Sequence, residues 1–414
     1  KQWVYSRELG KAGYQTGLIG KWHLKGNPTD EFQHWEILSG KGGQGSYFNP
    51  TFLSAQGESQ VTGHSARIIT DKALDWLKNR DPEKPFLLCA QYKTPHIHRL
   101  PPPDRMGGYD DLEFPVPETF FDDFSTRSSF VSKTWMALKG MKGHVLNIAP
   151  TEEEIRKNPK IRPPFLQEMT PRQRKVWHTA YDPRNLKFRK MKEAGKLEGK
   201  QAQLYVYQRF IKDYVRCIDG LDDQIGRILS FLDESGLTKN TLVIYSSDQG
   251  FFTGEHGWAE KRWMYEESFK SPLLMRWPGV IKPGTRISAL VQNIDLAPTL
   301  IRAGGMTVPE TVHGLALQPI LSGKEPPSWR TDLLYQYFDG GTPENRGPYN
   351  MPRHEGVRDT RYKLISFYEY RKWEFYDLRE DPHELKNLIG DPTMKGEINR
   401  LKKRLEELKS GYGL

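Results

Sequence analysis

The sequence predicts an α/β fold: a mainly parallel sheet flanked by helices, with a smaller C-terminal α+β domain of antiparallel strands plus one helix. Three observations carry this. Short apolar runs alternate with helical stretches through the first half, as in strands joined by crossover helices. Several of those runs end abruptly in polar residues, as strands do at the ligand-binding edge of an open sheet. Beyond Pro326 the pattern changes to short strand-like runs closed by one charged helix. A chain of 414 residues is long for a single core. The expected division is residues 1–325 for the α/β domain, with an irregular basic insertion at about 100–200, and 326–414 for the C-terminal subdomain.

Tyr14–Ile19 reads as a strand ending in Gly20-Lys21-Trp22-His23. Ser65–Arg80 is helical, with Ile68, Ile69, Leu74 and Leu77 near one face. Phe86–Ala90 is a second apolar strand, followed by Gln91-Tyr92-Lys93-Thr94-Pro95-His96. From Leu100 to Lys200 the periodicity fades and prolines crowd in. The cations Arg172, Arg174, Lys175, Arg184, Lys187, Arg189, Lys190 and Lys192 there form either a polyanion cleft or a solvated face. Gln203–Leu232 is the strongest helix, its apolar residues recurring at three and four. The buried-type strand Leu242–Tyr245 follows and stops at Ser246-Ser247-Asp248-Gln249-Gly250. Leu273–Trp277 and the helical Ile294–Ala303 come next. The C-terminal strands are expected at Leu333–Phe338, Tyr362–Phe367 and Glu374–Leu378, and the last helix at Met394–Lys409.

The net charge of +9 favours an anionic partner such as a phosphate, a sulfated glycan or a nucleic acid. No apolar run is long enough to cross a bilayer, which excludes a helical membrane span. Cys89 and Cys217 read as buried, inert thiols without a disulfide framework. No signal peptide is visible at Lys1-Gln2-Trp3.

Three strand ends share one feature: Lys21 and His23, then Lys93 and His96, then Asp248 and Gln249. In a parallel sheet such ends meet at one edge, and Lys261 could join them from a loop. Asp248 and Gln249 are hard oxygen donors suited to Ca²⁺ or Mg²⁺; the alternative is an Asp that caps the next turn. Lysines and a divalent cation neutralise nonbridging oxygens of a tetrahedral ester, and a histidine can protonate the leaving oxygen. Composition and spacing leave phosphorus and sulfur both open.

The segment Ala12–Leu24 (AGYQTGLIGKWHL) resembles the Gly-Lys-Trp-His segment of the formylglycine-dependent sulfatases, in the alkaline-phosphatase-like superfamily. SSDQG and Gly254–Ser268 (GEHGWAEKRWMYEES) resemble that family's second metal-binding segment and its downstream lysine, and the order of motifs agrees. GVRDTRYKLI and EFYDLREDPHELKNL resemble its small second domain, so the likeness spans nearly the whole chain. It implies that Lys21 and His23 contact the sulfate and a hydrated formylglycine, that His96 binds sulfate or protonates the leaving alcohol, and that Lys261 holds a sulfate oxygen. It also implies that Asp248 and Gln249 supply two calcium ligands; Gln249 stands where many members carry Asn or His. Lys93 lies beside the Pro-His pair and either binds the substrate or only shapes the pocket. A sulfated carbohydrate is the expected substrate, not a nucleic acid. Glu344-Asn345-Arg346 and Arg353-His354 are candidate sugar contacts, or else turn residues in a Pro/Gly-rich loop. The resemblance also implies a periplasmic or secreted location.

Family members carry their nucleophile in Cys-x-Pro-Ser-Arg, or a Ser variant, upstream of Gly-Lys-Trp-His, with an Asp-Asp pair after the first strand. Neither Cys89 nor Cys217 precedes Pro-Ser-Arg, Ser6-Arg7 lacks the preceding proline, and Asp110-Asp111, Asp122-Asp123 and Asp222-Asp223 are poor substitutes. The chain therefore reads as a sulfatase fragment without its first strand, expected to be inactive as given. The competing readings are a phosphoesterase or phosphonate hydrolase of the same superfamily, and a non-catalytic polyanion binder.

Overall fold

Strand β1 (Gln15–Gly20) lies inside a five-stranded sheet, in a computed structural model that describes residues 3–40, 43–141, 143–342, 344–345 and 351–414. The chain forms two units: Lys1–Phe114 with Lys142–Asn240 and Leu300–Thr307, and Pro115–Met141 with Thr241–Thr299 and Val308–Leu414.

In the first unit, α1 (Tyr5–Lys11) precedes β1. The other strands of its sheet are β2 (His34–Leu38), β3 (Thr51–Ser54), β4 (Gly57–Gln60) and β5 (Phe86–Gln91), in the order β4-β3-β2-β1-β5. β1 runs parallel to both β2 and β5, whereas β2, β3 and β4 are antiparallel, so the sheet is mixed. Successive side chains on β1 face opposite ways. Ile19 packs with Leu38, Phe52 and the Ile68, Ile69 and Ala73 face of α2 (Ser65–Asn79). Leu18 packs on the other side with Phe32, Trp35 and Ile37.

The stretch expected to be irregular is in fact helical over much of its second half. It contains α3 (Glu152–Lys157), α4 (Pro164–Gln167) and α5 (Pro171–Glu193). A capping box between Thr170 and Gln173 and a proline at the first turn start α5. Its buried face is Trp177, His178, Tyr181 and Asn185, half of it polar, and Pro183 sits in its interior. Hence hydrophobic periodicity concealed it. Trp177 stacks on Tyr181 at 4.8 Å. The Tyr181 hydroxyl donates to Asp213 of α6 (Gly199–Glu234) at 2.7 Å, and Arg216 donates to the same carboxylate at 2.7 Å.

In the second unit, β6 (Val243–Ser246) pairs with β9 (Leu273–Arg276) in an antiparallel ladder. This corrects the expectation of a β6 embedded in parallel neighbours. Between them come β7 (Phe252–Thr253), β8 (Ala259–Glu260) and the one-turn α7 (Glu266–Phe269). After α8 (Leu296–Ala303), strands β10 (Asp332–Tyr337), β11 (His354–Asp359), β12 (Tyr362–Phe367) and β13 (Lys372–Asp377) form an antiparallel sheet in sequence order. β11 escaped the sequence reading because His-Glu-Gly-Val-Arg-Asp is poor in strand-forming residues. On one face Val357, Leu364 and Phe375 pack on Ile398, Leu401 and Leu405 of α9 (Lys395–Gly411). On the other, Ile365, Phe367 and Tyr376 join Phe252, Trp258, Trp263 and Tyr265. No helix among the described residues is long and apolar enough to cross a membrane.

Candidate active site

Lys21 and Lys93 emerge side by side because the strands that carry them are parallel neighbours. Gly20 lies opposite Gln91 in the β1–β5 register, and the Lys21 amide donates to the Gln91 carbonyl at 2.7 Å. A Cβ on Gly20, whose φ is 116°, would lie 1.9 Å from that carbonyl oxygen. Only glycine lets the strand end turn here, so Gly20 places Lys21 and His23.

Lys93 is buried, and its ammonium sits 5.3 Å from the centre of the Tyr47 ring. The Tyr47 hydroxyl donates to the His96 carbonyl at 2.6 Å, so one tyrosine braces both ends of the Lys93–His96 loop. The His96 amide also donates to the Lys93 carbonyl at 2.9 Å. His96 is half-buried, with Nδ1 2.8 Å from the Ile97 carbonyl oxygen. A carbonyl only accepts, so Nδ1 carries the hydrogen in this contact. His23 is exposed, and the Gln44 amide nitrogen lies 2.9 Å from its Nδ1. Gln44 and Tyr47 were not singled out from sequence. The signal available was the glycine-dense stretch before Tyr47, where a Cβ on Gly43 would come within 2.2 Å of the Trp22 carbonyl oxygen.

In the second unit, Asp248 is exposed just beyond β6, and Gln249 is half-buried. The Ser247 hydroxyl lies 3.4 Å from the Asp248 carboxylate. Gly250 is constrained much as Gly20 is: a Cβ there would lie 2.2 Å from the Glu267 carbonyl oxygen. Lys261 is buried in an ion pair with Glu260 at 3.0 Å. Its neighbours Glu260 and Arg262 have φ of 91° and 102°, a region that side-chain-bearing residues rarely occupy. The turn is held by its surroundings: the Tyr335 hydroxyl donates to the Arg262 carbonyl at 2.8 Å, and the Arg262 amide to Ser268 Oγ at 2.7 Å. Ser268 also accepts the Gly250 amide at its own carbonyl, at 3.0 Å. One buried serine thus ties the Asp248-Gln249 loop to the Lys261 turn, a link absent from the sequence reading.

In the Tyr265-Glu266-Glu267-Ser268 run, Tyr265 and Ser268 are buried and the two glutamates half-buried. Although burial opposes it, the Lys363 ammonium and the Arg358 guanidinium hold Glu266 down at about 2. Burial pushes Glu267 up to about 7, with the Glu384 and Glu255 carboxylates adding to it. Its Oε2 lies 3.8 Å from His256 Nε2, while His256 Nδ1 is 2.7 Å from Asp122.

Of the candidate sugar contacts, Arg353 is partly exposed and pairs with Glu369 at 3.5 Å. His354 is fully buried, stacked on Trp263, and burial pushes it down to about 4. Its imidazole is therefore part of the aromatic core rather than a solvent-facing group. Arg346 lies outside the described residues.

Asp248 and Gln249 offer the oxygen donors that calcium prefers, but no cluster of three or more His, Cys, Asp or Glu side chains able to hold a metal occurs among the described residues. Two side-chain oxygens fall short of the six to eight ligands calcium takes. The donor type fits and the number is partial.

A family model for sulfatases matches residues 7–306, and one for the C-terminal part of N-sulphoglucosamine sulphohydrolase matches residues 254–411. An N-acetylglucosamine-6-O-sulfatase of Bacteroides thetaiotaomicron is 37% identical over 99% of this chain and 73% of its own length. An N-acetylglucosamine-6-sulfatase of Bos taurus is 31% identical over 43% of this chain and 37% of that protein. The solved structure of BT4656, in complex with its substrate D-glucosamine-2-N,6-O-disulfate, superposes with a TM-score of 0.93 at 36% identity, covering 100% of this chain and 83% of that one. A phosphonate monoester hydrolase from Silicibacter pomeroyi shares the fold, with a TM-score of 0.67 at 19% identity over 99% of this chain and 80% of that one.

Proposed function

The chain belongs to the sulfatase family of sulfuric ester hydrolases, and we propose that its substrate is a 6-O-sulfated glucosamine residue of a sulfated carbohydrate. The observation that carries this reading is identity of 37% along 99% of the chain with an N-acetylglucosamine-6-O-sulfatase.

In this reading the first unit supplies charge and a proton. The Lys21 and Lys93 ammoniums, delivered from the paired ends of β1 and β5, neutralise nonbridging oxygens of the ester. His96, its Nδ1 turned to the Ile97 carbonyl, presents Nε2 to the leaving 6-oxygen and protonates it as the S–O bond breaks. His23, oriented by Gln44, faces the attacking side. In the second unit Lys261 holds a further sulfuryl oxygen, and its buried contact with Glu260 fixes its position. Asp248 and Gln249 would help hold a calcium ion, whose charge would offset that of the sulfuryl oxygens. A formylglycine of the family's nucleophile motif would supply the oxygen that takes the sulfuryl group as the bond to the 6-oxygen breaks. With His354 buried, Arg353, Glu344 and Asn345 are the candidate sugar contacts among the described residues.

The test is sulfate release from N-acetylglucosamine-6-sulfate by the full-length protein, followed by ion chromatography. The expected result is turnover of that ester with none of the isomeric 3-sulfate. His96→Ala should lower kcat by 10²- to 10⁴-fold, about the worth of a general acid. Turnover of phosphonate or phosphate esters in place of sulfate esters would overturn the reading.

A further inference from the structure

Of the eight cations of the α5 region, Lys192 is exposed on the opposite side of the helix, and the other seven divide into two groups. Arg174, Arg184 and Arg189 point inward, to the Met169 carbonyl, to Asp110 at 2.6 Å and to Glu154 at 2.6 Å. They are engaged in contacts within the fold. Arg172, Lys175, Lys187 and Lys190 are exposed and have no ion-pair partner among the described residues.

At about 100° per residue, these four fall on one face of α5, within an arc of about 120°. Arg172 and Lys175 sit at one end, Lys187 and Lys190 at the other, and the two pairs are about 18 Å apart along the axis. Between them the exposed surface is uncharged: Val176, Thr179, Pro183 and Leu186. The carboxylates of α5 itself are Asp182, which accepts from His178 at 2.9 Å at the border of the face, and Glu193, beyond Lys190. A small anion would use one pair. Two pairs at this separation, without intervening carboxylates, match an extended chain that carries repeated negative groups.

We propose that the outer face of α5 docks a sulfated polysaccharide chain, holding it by its sulfate groups. The inference rests on the sulfated-carbohydrate reading above and adds a second point of attachment, remote in sequence from Lys21, His96 and Lys261. Affinity at such a surface is electrostatic, multivalent and lost with salt. Two contacts on one chain raise the local concentration of further esters without altering the chemistry at any one of them.

The experiment measures binding of a heparin decasaccharide to the full-length protein by calorimetry across a salt series, with no turnover required. The fourfold variant Arg172→Gln, Lys175→Gln, Lys187→Gln, Lys190→Gln is compared with a charge-matched control, Lys78→Gln, Lys239→Gln, Lys282→Gln, Lys395→Gln, all exposed elsewhere. The fourfold variant should bind at least tenfold more weakly at 0.1 M salt. Its slope of log affinity against log salt should fall by about 3, four contacts at about 0.7 each. Hydrolysis of the sulfated monosaccharide and the melting temperature should stay at wild-type values. Unchanged binding in the variant overturns the proposal, as does an equal loss in the control, which would make net charge alone responsible. Equal or tighter binding of single-stranded DNA of the same charge also overturns it, in favour of a nucleic-acid surface. A wild-type protein that binds heparin through α5 but releases no sulfate ends the substrate reading and leaves the docking face standing.

Discussion

Gly20 and Gly250 show at the scale of single residues why two short motifs look as they do. In each, the glycine precedes or follows the chemical residues and is the one type that fits: backbone oxygens stand 1.9 Å and 2.2 Å from where its Cβ would be. The motifs are therefore joint records of chemistry and close packing. Ser268 is the complementary case, a residue without chemistry of its own that holds the Lys261 turn. Ser268→Ala removes the acceptor for the Arg262 amide. An unsatisfied amide in that half-buried position should cost about 1–2 kcal/mol of stability. The strained Lys261 turn should relax with it, lowering kcat more than it raises KM. Ser268→Thr, which restores a hydroxyl, should recover part of both, as read by denaturant melts and steady-state kinetics.

α7 is a single turn, yet it holds two adjacent carboxyl groups whose titrations are driven apart. Glu266 is kept at about 2 by Lys363 and Arg358 against the effect of burial, and its stabilisation is present above the free value of 4.5 and lost as pH falls towards 2. Glu267 behaves oppositely. Burial raises it to about 7, so its contribution is fully present below 4.5 and lost as pH rises through 7. Glu267→Gln keeps the shape and removes the titration. Melting temperature plotted against pH should then lose its decline between pH 5 and 8. At pH 8 the variant should be the more stable protein, by on the order of 2–3 kcal/mol. An unaltered pH profile would show that the Glu267 carboxyl titrates normally in the fold.

At the scale of the whole molecule, the charge of +9 is distributed unevenly in its uses. Arg216, Lys363 and Arg127 are consumed in buried networks, while the outer cations of α5 face solvent. A positive surface steers anionic substrates and does so less as salt rises. Raising salt from 0.05 to 0.5 M should accordingly lower kcat/KM on a multiply sulfated oligosaccharide several-fold more than on the singly sulfated monosaccharide. Parallel salt dependence for the two substrates would confine the electrostatics to the reacting ester.

Much of this was legible in the one-dimensional pattern, for a physical reason. The α6 helix, the β1, β5 and β12 strands and the Gly-Lys-Trp-His and Asp-Gln-Gly motifs are local statements, set by periodicity, by apolar runs and by glycines that only a close approach requires. They were sufficient to indicate the family and the residues to watch. The tertiary structure decided what depends on partners distant in sequence. Tyr47 reaches His96, and Ser268 joins the Gly250 and Arg262 amides. Trp263 buries His354, and the inward or outward turn of each α5 cation is settled by Asp110, Glu154 and the Met169 carbonyl. Charge and periodicity belong to a residue and its near neighbours along the chain; burial and hydrogen-bond partnership belong to the fold.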